Sequence, residues 1–382
     1  MSATEAALIQ LQNRLPAVAL ATAFALSLAA CAAFDPELRS DSPKDPTLTG
    51  VPVPAAAETQ AVGTARSDAA DDPEVWADPR DPSRAVIFGT DKKAGLYVYG
   101  LDGEVRAFLP EGPLNNVDLR PGFLVGEREQ VLVAASHRTR GGALLFLMDP
   151  ATLEVKTWGL ASAPVSEPYG LCMGRRGEDT LVVVVGQAGD VRQLRIAAEQ
   201  GRPTWVEEQA FAVGSQAEGC VIDDATGALY VGEEAKGIWR YSIDPAKGGA
   251  RTLLEPAPGP RLTPDVEGLT LLRDSGKTYL IASSQGDNAF AVWRVAGEAG
   301  EAADYQGRFS VAAAGDVDAV TGTDGVAALG GPVGPYAEGL IVVQDDADTE
   351  GATGGVVREL QNFKLVDWRA VKSALEIDPA AP

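Results

Sequence analysis

Three glutamates, Glu218, Glu233 and Glu234, fall within one short stretch, QAEGCVIDDATGALYVGEEAKGIWRY, residues 216–241. The apolar runs CVID and ALYVG read as two antiparallel strands. Asp224-Ala225-Thr226-Gly227 joins them as a turn, with Gly free to take φ > 0. Counting across that turn sets residue 218 opposite about residue 234, as antiparallel pairing requires. The hairpin then gathers the three carboxylates at one sheet edge. Carboxylates this close repel each other unless a cation lies among them.

Further acids recur along the chain: Asp68, Asp71, Asp72, Asp118, Asp265, Glu267, Asp324, Asp345 and Asp346. A single Asp in a loop is usually a turn residue; a repeated placement points to metal. So many oxygen donors beside one His, His137, suit a hard cation, calcium rather than zinc. Lys92, Lys93, Arg138 and Lys236 stand in the same stretches. They either neutralise the acids or hold phosphate oxygens, Arg by a bidentate fork and Lys as a point charge; the residues leave both open. There is no Gly-x-Ser-x-Gly elbow, no Walker-type phosphate loop and no Cys-x-x-x-x-x-Arg loop. A phosphatase made of these residues has to activate water through metal.

The elements that position these residues repeat six times. The openings are DPEVW (72–76), NNVDL (115–119), EPYGL (167–171), AEGCV (217–221), VEGLT (266–270) and TDGVA (323–327). Taking Glu74, Asp118, Tyr169, Glu218, Glu267 and Asp324 as equivalent gives intervals of 44, 51, 49, 49 and 57 residues. Each opening leads to a second apolar strand that ends in a polar knot: TDKK, SHRT, GQAG, EEAK, SSQG and QDDA. A period near 50 residues with three or four short strands is a propeller blade. The expected fold is all-β, a six-bladed β-propeller. Openings and knots should ring the mouth of its channel.

The 382 residues carry 54 acids against 32 Lys and Arg, a net charge of −22. That argues against nucleic acid and anionic lipid surfaces as partners and is compatible with metal cations. Residues 1–31 read as a signal segment, whose apolar run ends Leu28-Ala29-Ala30-Cys31 and resembles the lipobox of bacterial lipoproteins. It implies an exported product anchored to membrane by lipid on Cys31. An ordinary signal peptide with an incidental Cys would give a secreted protein instead. Residues 32–62 read as a Pro/Ala-rich tether and 63–376 as the propeller, expected to be a monomer. Cys172 and Cys220 each follow an opening, and a disulfide or two buried thiols both stay open.

The segments DAADDPEVW, GTDKKAGLYVY, LNNVDLR, AASHRT, AEGCVIDDATGALYVGEEAKGIW, LTPDVEGLTLL, YLIASSQGDNAFAVW, VVQDD and QNFKLVDW resemble the β-propeller phytases, alkaline calcium-dependent 3-phytases, over residues 68–368. The resemblance implies hydrolysis of phytate, myo-inositol hexakisphosphate, by a water activated on several Ca²⁺ ions. It implies active-site calcium ligands at Asp71, Glu218, Glu234, Asp265, Glu267 and Asp324. Asp72, Asn116, Asp118 and Asp345 complete the expected metal set. Phosphate is expected on Lys92, Lys93, Arg138, Tyr169 and Gln285, with Glu218, Glu234, Lys92 and Arg138 catalytic. Four departures stand out: Gln187 where a Lys is common, TDGVAA with Ala327 in place of a carboxylate, His137 for Asn, and DTEGATGGVVREL before QNFK. Two other readings are a calcium-dependent lactonase-type propeller and a non-catalytic calcium-binding lipoprotein. The first lacks a use for Lys92, Lys93 and Arg138; the second leaves Glu218, Glu234, Asp265 and Glu267 without a task.

Overall fold

The computed structural model describes residues 48–295, 303–347 and 360–378. The signal segment, Cys31 and residues 348–359 of the departing loop lie outside the described residues.

Six sheets follow one another along the chain, spanning 70–109, 114–162, 168–212, 217–256, 266–312 and 326–367, here blades 1 to 6. Within a blade each strand pairs antiparallel with the next in sequence. The first strands touch in a closed ring, blade 6 returning to blade 1. The fold is the six-bladed β-propeller that the repeat predicts.

Burial explains the strand sequences. The second strand of blade 3, Asp179–Gly186, reads DTLVVVVG and is buried from Thr180 onward. It is sandwiched between neighbouring blades, so both faces must be apolar. The fourth strand, Arg202–Ala212, is mostly exposed and carries the polar residues. One apolar core fills each gap between blades; Trp76, Phe88, Val133 and Phe146 lie in the core shared by blades 1 and 2.

The expected tether is partly fold. Val51–Pro54 pairs parallel with the last strand of blade 5, and Ala57–Glu58 pairs antiparallel with Asn362–Asp367 as the outer strand of blade 6. Blade 6 is therefore built from strands far apart in sequence, 57–58 beside 362–367. Pro52 and Pro54 are tolerated because an edge strand needs hydrogen bonds on one side only, while Val53 between them is fully buried.

The first strands of blades 1 to 5 break register at their start, between Ala70 and Pro73, Leu114 and Val117, Pro168 and Gly170, Ala217 and Cys220, and Val266 and Leu269. Such bulges re-aim the extra residue. They make Asp71, Asn115, Tyr169, Glu218 and Glu267 equivalent, with Asp324 at the matching place in blade 6. This corrects the repeat in blades 1 and 2, where Glu74 and Asp118 sit three residues too far along. The next residue is glycine in four blades for a steric reason. A Cβ on Gly170, Gly219, Gly268 or Gly325 would lie 1.9, 2.1, 2.6 or 2.3 Å from an atom of the adjoining blade. The two cysteines form a disulfide, Cys172–Cys220, with Cα atoms 5.5 Å apart, which ties blade 3 to blade 4 beside this ring.

Candidate active site

The bulges and knots meet for a backbone reason. The first residue after the second strand donates its N–H to the carbonyl two residues before the bulge residue. The bonds are Lys92 to Ala69 at 2.7 Å, Arg138 to Pro113 at 3.1 Å, Gln187 to Glu167 at 3.0 Å, Glu234 to Gln216 at 3.1 Å and Gln285 to Asp265 at 2.9 Å. Five blades thus place a knot side chain over a bulge side chain at the mouth.

Two carboxylate triplets result. Oxygens of Asp71, Glu218 and Asp324 lie within 4.8 Å of one another, and so do oxygens of Glu218, Glu234 and Glu267. Glu218 belongs to both. All five residues are buried, none more than 7 % exposed. Lys92 Nζ lies 2.8 Å from Asp71, 3.0 Å from Asp68 and 3.2 Å from Asp324. The Asn115 amide donates to Glu218 Oε1 at 2.9 Å.

Burial dominates the electrostatics. It pushes the Asp71 carboxyl up to about 7, although Lys92 pulls the other way. Burial and then Asp265 push Glu234 up to about 8. Glu218 and Glu267 stand well above the usual carboxylate range, from burial first and then from Asp71 and Glu234 respectively. Burial by itself would lower Lys92, but Asp68, Asp71 and Asp324 outweigh it and hold the ammonium charged. One shared ammonium is not enough to offset the desolvation of Asp71, so both groups are raised together. Tyr169 is raised by Glu218 and then by burial, which keeps its phenol protonated.

The donors present fit a hard metal ion. Asp71 Oδ2, Glu234 Oε1, Glu267 Oε2 and Asn115 Oδ1 are buried with no hydrogen-bond partner. Buried oxygens without donors are costly unless a cation meets them. Oxygen alone, with no thiolate or imidazole, suits calcium.

The other expected site residues separate into two groups. Asp265 joins the mouth, adding its charge to that felt by Glu234 and Glu267. Arg138 lies beside Tyr169, its guanidinium carbon 5.7 Å from the ring centroid and its Nε 2.6 Å from Glu167. Gln285 opens a short 3-10 turn, Gln285–Asp287, at the mouth. Lys93 follows Lys92, its N–H capped by Asp91 Oδ1 at 3.0 Å. The rest are not in the triplets. Asp72 Oδ2 accepts the Val117 N–H at 3.0 Å. Asp118 accepts the Met173 N–H at 2.6 Å and pairs with Arg120 at 2.8 Å. Both line a lower chamber of the channel, a cavity of about 260 Å³. Asn116 is turned toward Glu218 and the Tyr169 carbonyl. Asp345 lies in blade 6, with Lys364 Nζ 3.3 Å from its Oδ2, an oxygen that is buried with no hydrogen-bond partner.

Glu233 is a clear departure from the hairpin expectation. Neighbouring strand residues point to opposite faces, and Glu233 turns away from Glu234 to accept from Ser215 Oγ at 2.5 Å and Trp239 Nε1 at 2.7 Å. Asn115 is the site residue that sequence reasoning missed. The signal was present: a polar residue, then a small or polar one, then an apolar one, in DDP, NNV, YGL, EGC, EGL and DGV.

Fold and mouth together define a class: a propeller with an axial site of oxygen ligands bordered by Lys92 and Arg138. The family model described as Phytase matches residues 17–381. A 3-phytase of Bacillus subtilis (strain 168) is 34 % identical over 334 residues, covering 85 % of each chain. The chain belongs to the phytase family. Among solved structures, BBS1N in complex with ARL6DN aligns at a TM-score of 0.41 with 12 % identity over 74 % of each chain, too loosely to bear on function.

Proposed function

We propose that this protein is a calcium-dependent 3-phytase, a phosphomonoester hydrolase acting on phytate. The observation that carries the reading is the pair of buried carboxylate triplets with orphaned oxygens, set against Lys92 and Arg138 at the same mouth. Asp71, Glu218, Glu234, Glu267 and Asp324, with Asp265 adjoining, would hold the metal. When bound, calcium supplies positive charge that draws in a phosphate ester and acidifies a water near it.

The chain's own residues do the remaining work. Lys92 stays protonated and fixes Asp71 and Asp324 in place. Its charge also offsets that of the transferring phosphoryl group. Arg138, held through Nε by Glu167, brings a planar guanidinium suited to phosphate oxygens. Tyr169 contributes a neutral phenol that donates a hydrogen bond. Gln187 and Gln285 offer uncharged amide donors at the places in blades 3 and 5 that Lys92 and Arg138 hold in blades 1 and 2. Glu234, at the rim, accepts the proton of the attacking water.

The protein acts outside the cytoplasm, as a monomer held by lipid on Cys31. The LAAC sequence supports that placement, and so does the Cys172–Cys220 disulfide, since such bonds persist in oxidising compartments. Phosphate release from phytate with excess calcium tests the reading. It should stop on chelation and return when calcium is restored, and a lactone panel should stay unhydrolysed. No release at neutral to alkaline pH would end the proposal.

A further inference from the structure

The position equivalent to Asp71, Glu218, Glu267 and Asp324 is an amide in blade 2, Asn115, followed by a second amide, Asn116. Both are buried, at 0 % and 3 % exposed. Asn115 Nδ2 donates to Glu218 Oε1 at 2.9 Å, across to blade 4. With its nitrogen turned inward, the orientation that satisfies both ends of the amide, Asn116 reaches the same oxygen at 3.1 Å and the Tyr169 carbonyl at 2.9 Å. Ser136 fastens the pair: its Oγ accepts the Asn116 N–H at 3.0 Å and donates to the Tyr169 carbonyl. Blades 2, 3 and 4 are thereby joined at one carboxylate.

We infer that Asn115 and Asn116 form a two-amide clamp whose nitrogens position Glu218 for metal. Glu218 is the member common to both triplets, so its orientation governs both. Donors on one carboxylate oxygen restrict the orientation of the group and favour its charged form. A further acid at this place would add repulsion to a mouth already short of cations, whereas an amide donates without charge. Residues that hold a metal ligand in this way typically govern 10–100-fold in metal affinity or activity.

This inference rests on the calcium reading above. Its test is a double-mutant cycle read by calorimetric calcium titration, using the wild type, Asn115→Ala, Glu218→Asp and the double variant. Glu218→Asp keeps a carboxylate but shortens it away from the amides. Asn115→Ala should weaken calcium binding roughly 10-fold or more in the wild-type background, and about 3-fold or less beside Glu218→Asp. It should also lower kcat while KM for phytate stays within about 3-fold. An equal loss in both backgrounds would make Asn115 a ligand or a packing residue and overturn the clamp, as would no loss in either. Should Asn115→Ala fail to fold, Asn116→Ala enters the same cycle with the same deciding outcomes. Wild-type protein that takes up no calcium would overturn the calcium reading; calcium uptake without coupling would overturn only the clamp.

Discussion

Two groups of buried acids face one channel from the same strands, a few residues apart. In the lower group, Asp72 takes the Val117 N–H, Glu74 the Val75 N–H, and Asp118 the Met173 N–H together with the Arg120 guanidinium. No buried oxygen of these three lacks a partner. In the upper group, Asp71, Glu234 and Glu267 each keep a buried oxygen with none. Among the described residues, no basic side chain pairs with Glu218, Glu234 or Glu267. Both groups are acidic, and all but the half-buried Glu74 are buried; satisfaction is the sharper difference. Buried acids that the protein itself satisfies need a cation less than acids it leaves short.

The contrast predicts opposite responses to mutation. Glu234→Gln should lower kcat on phytate roughly 10²-fold or more at saturating calcium, the scale for losing one base or electrostatic element. The same change should leave the melting temperature in chelator unchanged at neutral pH and higher above about pH 8, where Glu234 ionises beside Asp265 and Gln does not. Near-normal turnover would put the chemistry elsewhere. Asp118→Asn should do the reverse. It deprives Arg120 of its charge partner and sets an amide N–H against backbone donors, at about 1–3 kcal/mol. Denaturant unfolding should show that loss while calcium affinity holds; a fall in calcium affinity would merge the two groups into one site.

A smaller effect is the dependence of stability on pH. Asp71 at about 7 and Glu234 at about 8 bind protons more tightly folded than unfolded. Their contribution is therefore full below the unfolded carboxylate range and lost as pH rises through the folded values. Chelated protein should melt progressively lower between about pH 4 and pH 8. Calcium should flatten that slope; a chelated protein with a flat profile would contradict the burial of free carboxylates at the mouth.

Much of this was legible in the sequence, for identifiable reasons. A period near 50 residues can hardly be anything but blades, and the turn at 224–227 set Glu218 against Glu234 by counting. What misled was the matching of acids by letter. Letter matching pairs Glu74 with Glu218, whereas Asp71, Asp72 and Pro73 are the true counterparts of Glu218, Gly219 and Cys220. The bulge that shifts them leaves no acidic mark in sequence, but the crowding that demands Gly219 and Gly268 does. Glu233 was placed with Glu234 by proximity, where strand alternation separates them. The fates of Asp72 and Asp118 depend on backbone N–H groups contributed by other blades, Val117 and Met173, which no local reading reveals. Residues 51–58 looked like tether because Pro and Ala dominate, yet an edge strand accepts both.

A crystal structure of the protein grown with calcium addresses the central claim most directly. Ions should stand at about 2.3–2.6 Å from oxygens of Asp71, Glu218, Glu234, Glu267 and Asp324, with no ion between Glu74 and Asp118. A mouth without calcium, or calcium seated only in the lower group, would contradict the account.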